Sequence, residues 1–96
     1  MKESFVYIIS NKNKTVLYIG VTANLIQRIE DYKNGVGSGF SKKYHLNELL
    51  YFESYTNINH AIEREKQLKN WHRDWKWNLI KETNPNLIDL YFELIL

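Results

Sequence analysis

The sequence predicts a small α/β (α+β) domain in which a three-stranded antiparallel sheet is flanked by helices, in the order β-β-α-β-α-α. Three observations predict it. Two runs of β-branched and aromatic residues, Phe5 to Ile9 and Val16 to Val21, are separated by little more than the polar Asn11-Lys12-Asn13-Lys14, which reads as a hairpin. A third run of that kind spans Glu48–Tyr55. Apolar residues recur at helical spacing before it, from Leu25 to Tyr32, and after it, from Ile58 to Leu79. With 96 residues the chain is expected to form one domain over 1–96.

The elements follow in order. Ser4–Ser10 is the first strand, and Val16–Val21 the second. With the turn centred on Lys12-Asn13, Tyr7 falls opposite Tyr18, and Gly20 points to the same face, leaving room there for something to approach the backbone. Thr22 can cap a helix that runs to about Asn34 and stops at Gly35. Leu25, Ile29 and Tyr32 share its inner face, and Arg28 and Tyr32 are neighbours four apart. Gly35, Gly37 and Gly39 then open a stretch read as a flexible loop to about His45. It is no phosphate loop, because the Gly-Lys-Ser/Thr ending is missing. After the third strand, Asn57 opens a long helical pattern to about Trp71, continued or kinked to Glu82, with Ile58, Ala61, Ile62, Leu68, Trp75 and Leu79 as its apolar stripe. Glu65 points into that stripe, between Ile62 and Leu68, where a carboxylate is costly unless paired, bound to metal or facing a cleft. Asn84-Pro85 ends the segment and can start a last helix with Leu87, Leu90, Tyr91 and Leu94 turned inward.

Composition removes several classes of function. There are no cysteines, which excludes disulfide frameworks, thiolate zinc sites and thiol nucleophiles. His45, His60 and His72 lack metal-ligand spacing. No apolar stretch approaches the roughly 20 residues a membrane helix needs, no secretory signal opens the chain, and a cytoplasmic location is expected. The net charge is +2 and uneven: residues 33–81 hold nine basic against five acidic side chains, and 82–96 hold three acidic and no basic ones. A basic middle suits a polyanion, with Lys42, Lys43, Lys66, Lys69, Arg73 and Lys76 as backbone contacts to nucleic acid, although a solvated helix face has the same composition.

One constellation carries chemistry. Phe5-Val6-Tyr7 is followed after ten residues by Tyr18-Ile19-Gly20, then by Arg28, Tyr32 and, on a later helix, Glu65 within the stretch from Ala61 to Lys69. This ordered set, with the Asn84-Pro85 turn, resembles the GIY-YIG nuclease superfamily, and its small stand-alone bacterial members in particular. The resemblance implies divalent-metal-dependent hydrolysis of phosphodiester bonds in DNA, or in RNA, with structure rather than sequence recognised. It implies Tyr7 and Tyr18 as the paired motif tyrosines, one of which activates the attacking water. Arg28 would hold the scissile phosphate, Tyr32 would hydrogen-bond near the nucleophile or phosphate, and Glu65 would bind a single Mg²⁺ or Mn²⁺. The chemistry is consistent with these residue types. Mg²⁺ keeps most of its waters, so one carboxylate suffices, and the planar guanidinium fork matches phosphate oxygens. Two departures stand out: Phe-Val-Tyr replaces Gly-Ile-Tyr, and Val21 follows the second motif where many relatives carry a polar residue. Some relatives add an Asn beyond the metal-binding Glu, for which Asn78 and Asn84 are candidates.

Each residue also has a purely structural reading. Tyr7 and Tyr18 can be strand aromatics, Tyr32 a core residue, Arg28 a solvated one, and Glu65 the partner of Lys69 in an i,i+4 ion pair. The corresponding functional alternatives are a catalytically weak nucleic-acid-binding module, or an interaction protein or homodimer built on the apolar C-terminal run Leu90 to Leu96.

Overall fold

The computed structural model describes residues 2–96. Strand β1 (Ser4–Ser10) lies between β2 (Leu17–Thr22) and β3 (Glu48–Tyr55), antiparallel to both. Helix α1 (Leu25–Lys33) covers one face of the sheet. Helices α3 (Ile58–Lys69) and α4 (Arg73–Thr83) cover the other. Short helices α2 (Gly39–Tyr44) and α5 (Tyr91–Leu94) complete the chain. The α+β class and its three-stranded antiparallel sheet are as the sequence predicts.

The alternation of β1 divides the core in two. Val6 and Ile8 point to the α3 side, among Ile19, Leu50, Ala61, Leu68 and Ile80. Tyr7 and Ile9 point to the α1 side, among Leu25, Ile29, Tyr32, Leu46 and Leu49. Because β1 is central, its Val6, Tyr7, Ile8 and Ile9 are fully buried, which fixes the register tightly.

Several local expectations are corrected. Tyr7 pairs with Gly20, and Tyr18 with Ile9, so the hairpin register lies two residues from the one expected. The cause is Asn11, whose side-chain oxygen accepts hydrogen bonds from the N–H groups of Thr15 and Val16 and holds a longer turn, with Lys14 left-handed at φ 59°. A shift of two keeps Tyr7, Tyr18 and Gly20 on one face. Asn24 rather than Thr22 caps α1, accepting from the Gln27 N–H. The glycine-rich stretch is only partly a loop: Ser38 accepts from the Ser41 N–H and opens α2. The pattern after Asn57 breaks at Asn70–His72, and Ile58 and Trp75, expected in its apolar stripe, are exposed.

No helix starts at Pro85. Instead Asn84, buried, donates to the carbonyls of Leu50 and Ile88 and accepts from the Ile88 N–H, which pins the chain across β3. Beyond it, Asp89 accepts from the N–H groups of Leu49 and Tyr91 and pairs with Lys33 of α1. Leu87 packs against the α3-side core, and Leu90, Tyr91 and Leu94 against the α1-side core, so half of the apolar C-terminal run is partly covered within the chain, while Phe92, Ile95 and Leu96 stay exposed.

Candidate active site

The α1 face of the sheet brings three of the five sequence-predicted residues into direct contact. Tyr7 is fully buried, and its ring lies across Gly20 of the neighbouring strand: a Cβ at position 20 would fall inside van der Waals contact of the phenol oxygen and Cζ, and 3.0 Å from Cε1. The space that the strand glycine leaves is therefore filled by Tyr7 itself. The two phenols of Tyr7 and Tyr32 are hydrogen-bonded at 2.6 Å, their rings 6.0 Å apart. Arg28, one helical turn before Tyr32, donates from Nη1 to the Tyr7 oxygen at 3.4 Å. Gly37 lies against the Tyr32 ring, where a Cβ would sit 3.1 Å from Cδ1 and Cε1.

The electrostatics of this cluster are unusual. Burial raises the Tyr7 pKa far above that of a free phenol, the bond to Tyr32 adds to the rise, and Arg28 opposes it only in part. Burial works against the charge of Arg28, but the Tyr7 and Tyr32 phenols outweigh it and raise its pKa further. Among the described residues no carboxylate lies within ion-pair distance of Arg28. The guanidinium is held by the Tyr7 phenol and keeps its charge available for an anion.

Tyr18 and Glu65 stand at the edge strand β2. Tyr18 shares the face of Tyr7 but is only partly buried, and its ring meets Phe40 of α2 at 6.0 Å. Glu65 lies on the inner side of α3 with its side chain 16% exposed, 3.6 Å from the Lys69 ammonium, and that ammonium also sits 5.8 Å from the centre of the Tyr18 ring. Lys69 thus links the carboxylate to one of the motif tyrosines.

Of the expected nucleic-acid contacts, Lys42, Lys43, Lys66 and Lys69 are exposed. Lys76 flanks the groove beside Tyr18. Arg73 is committed elsewhere: it donates to the Thr15 carbonyl and lies over Trp77, which ties α4 to the β1–β2 turn. Asn84 is likewise consumed by its backbone bonds and offers nothing to a site.

A second polar cluster escaped the sequence reading. Glu53 accepts from Arg64 and from the phenols of Tyr51 and Tyr55 on the α3 side of the sheet. Its signal was present as Tyr-x-Glu-x-Tyr at the strand period, which puts all three on one face.

A three-stranded antiparallel sheet with a glycine-seated tyrosine, a phenol-held arginine on the first helix and an inward glutamate on a later one defines a GIY-YIG-type catalytic domain. Residues 3–85 match the family of the GIY-YIG catalytic domain, and the chain belongs to that family. It is 34% identical to a UPF0213 protein of Pediococcus pentosaceus over 90% of each chain, and 34% identical to one of Staphylococcus epidermidis over 85% of this chain and 99% of the relative. The solution structure of a UPF0213 protein from Bacillus halodurans shares the fold, with a TM-score of 0.57, 21% identity and 88% of each chain covered. Family membership implies nuclease-type activity on a nucleic-acid substrate.

Proposed function

We propose that this chain is a divalent-metal-dependent endonuclease that hydrolyses phosphodiester bonds in DNA, acting as one domain over residues 1–96. The observation that carries the reading is Arg28: a partly buried guanidinium, held by the Tyr7 phenol, which Tyr32 fixes in turn, and unpaired with any carboxylate among the described residues. Such a group costs stability in isolation and gains an anion when a phosphate arrives.

The residues divide the work accordingly. Arg28 takes oxygens of the scissile phosphate and offsets the charge that grows on them in the transition state. Tyr7 remains a neutral phenol, because its burial opposes the phenolate, and it aims Arg28. Tyr32 fixes the Tyr7 phenol through their shared bond. Tyr18, only partly buried on the same face, is the tyrosine placed to touch a water molecule and orient it for attack. Glu65 fits a hard cation such as Mg²⁺ or Mn²⁺: it is a single inward carboxylate, with one ammonium at 3.6 Å as its only ion-pair partner among the described residues. A cation held there would supply Lewis-acid stabilisation of the phosphate or leaving oxygen.

The test is cleavage of branched, nicked and single-stranded DNA with Mg²⁺ or Mn²⁺, alongside Mn²⁺ binding measured by calorimetry on the protein alone. Glu65→Gln should abolish both cleavage and Mn²⁺ binding while DNA affinity in EDTA stays within about twofold. Arg28→Lys should lower the cleavage rate by about 10²–10³, the usual effect of losing one transition-state donor. A wild-type protein that binds DNA but cuts none of these substrates would refute the nuclease reading in favour of a binding module.

A further inference from the structure

We infer that a groove beside Tyr18 is a stacking subsite for an unpaired nucleobase, so that the substrate is a DNA strand with at least one base out of the duplex near the cut. The inference rests on the nuclease reading above and names the class of DNA it takes.

The groove has a volume of about 220 Å³ and is lined by Leu17, Tyr18, Ile19, Phe40, Lys69 and Lys76. Its lining is two aromatic residues, two aliphatic residues of β2 and two ammonium groups, of which Lys69 is also paired with Glu65; no acid is among the described lining residues. Phe40 decides what fits. It is 45% exposed although its ring meets Tyr18 at 6.0 Å and Tyr44 at 4.8 Å, so two aromatic neighbours hold the ring while one side stays open. Tyr44 is itself 37% exposed. The aromatics sit on α2, whose Lys42 and Lys43 face solvent, with Lys43 5.3 Å from the Tyr44 ring.

This combination matches a nucleotide better than it matches an apolar side chain from a protein. A base has a π-face for the phenyl ring and carries its own phosphate for the ammonium groups, and aromatic platforms flanked by cations are how strands are held without sequence preference. In an intact duplex both faces of every base are already stacked, so an exposed phenyl ring finds a free face only where a base is unpaired or terminal. The spacing also fixes the mode. A base sandwiched between Phe40 and Tyr18 would need about 7 Å, two stacking rises of about 3.4 Å, which exceeds their 6.0 Å separation. The base therefore lies on the open side of Phe40, with Lys69 and Lys76 placed for the adjoining phosphates. Tyr18 belongs to both the groove and the candidate site, so the stacked nucleotide is close to the scissile bond.

The experiment uses 2-aminopurine oligonucleotides and the full chain in EDTA, where cleavage plays no part. One set carries the probe in a single-nucleotide gap or single strand, the other in an intact duplex, with RNA single strands as a third arm. Stacking predicts quenched fluorescence and tighter binding for the unpaired probe. Phe40→Ala should weaken that binding by roughly fivefold to a hundredfold, as removal of one stacking aromatic does, and leave duplex affinity unchanged. Phe40→Trp should retain it, and Lys76→Gln should reduce the salt dependence by about one phosphate contact. Since Phe40 is a half-exposed ring, circular dichroism should show Phe40→Ala folded. Equal quenching in gap and duplex, equal affinity of wild type and Phe40→Ala, or preference for RNA over DNA would each overturn the inference. If wild type cuts DNA but Phe40→Ala binds unpaired probes as well as wild type, the subsite falls and the nuclease stands. If the probe is quenched but nothing is cut, the reverse holds.

Discussion

Replacing Gly20 with Ala adds one methyl group where the Tyr7 ring lies. The new Cβ would overlap the phenol oxygen and Cζ and sit 3.0 Å from Cε1. A surface tyrosine would swing away at little cost. Tyr7 is 1% exposed, on the central strand, bonded to Tyr32 at 2.6 Å and held by Arg28, so its ring has no free space to enter. Either the ring turns off its rotamer and loses the Tyr32 bond, or β2 moves away from β1. Overpacking of this kind costs about 1–3 kcal/mol and a lost buried hydrogen bond about 1 more, so Gly20→Ala should destabilise by about 2–4 kcal/mol. Urea denaturation followed by circular dichroism measures this directly. A double-mutant cycle isolates the cause: with Tyr7→Val, which removes the ring, Gly20→Ala should be neutral, or stabilising by up to about 1 kcal/mol through the unfolded chain. A cost below about 1 kcal/mol in the wild-type background, or an equal cost with Tyr7→Val, would refute the steric lock between the two motifs.

Two further predictions concern the rest of the fold. Asn84→Ala removes three hydrogen bonds and leaves the buried Leu50 carbonyl unpaired, which should cost about 2–4 kcal/mol in the same assay. Glu53 is partly buried, which alone would raise its pKa, but Arg64 and the Tyr51 and Tyr55 phenols outweigh burial and hold its carboxyl below the usual 4.5. The folded state therefore takes up that proton later than the unfolded chain. Its contribution is complete above about pH 4.5 and is lost as pH falls through the folded value. Denaturation at a series of pH values should show Glu53→Gln flattening the acid limb of the stability profile, and an unchanged slope would refute the assignment.

The sheet was legible because its three strands carry runs of β-branched and aromatic residues, and β3 spans Glu48–Tyr55 as read. The hairpin register was not, because it depends on where the Asn11 side chain sends its hydrogen bonds, and period-two patterning cannot distinguish a shift of two. The α3–α4 junction was legible only as continued or kinked, because helical spacing persists through Trp71 and Trp75; the chain turns at Asn70–His72. At the site, Arg28 and Tyr32 were visible as a pair four apart, and Glu65 as a charge on an apolar stripe. Their relation to Tyr7 and Tyr18 depends on tertiary contacts: Tyr7 reaches Tyr32, while Lys69 stands between Glu65 and Tyr18. The place of Phe40 was illegible, since the glycine-rich stretch reads as a loop and the i,i+4 contact of Phe40 with Tyr44 exists only once α2 forms.

The bonds made by Asp89 have a consequence for truncated forms of the chain. Asp89 holds Lys33, the last residue of α1, while also binding the start of β3, and Lys33 itself reaches the Asn47 carbonyl. The C-terminal residues are thus a strap around the helix that carries Arg28 and Tyr32. A nonsense mutation or a protease nick near position 88 would remove no residue of the candidate site, yet it would free the far end of α1 and loosen the placement of Arg28 and Tyr32 from a distance.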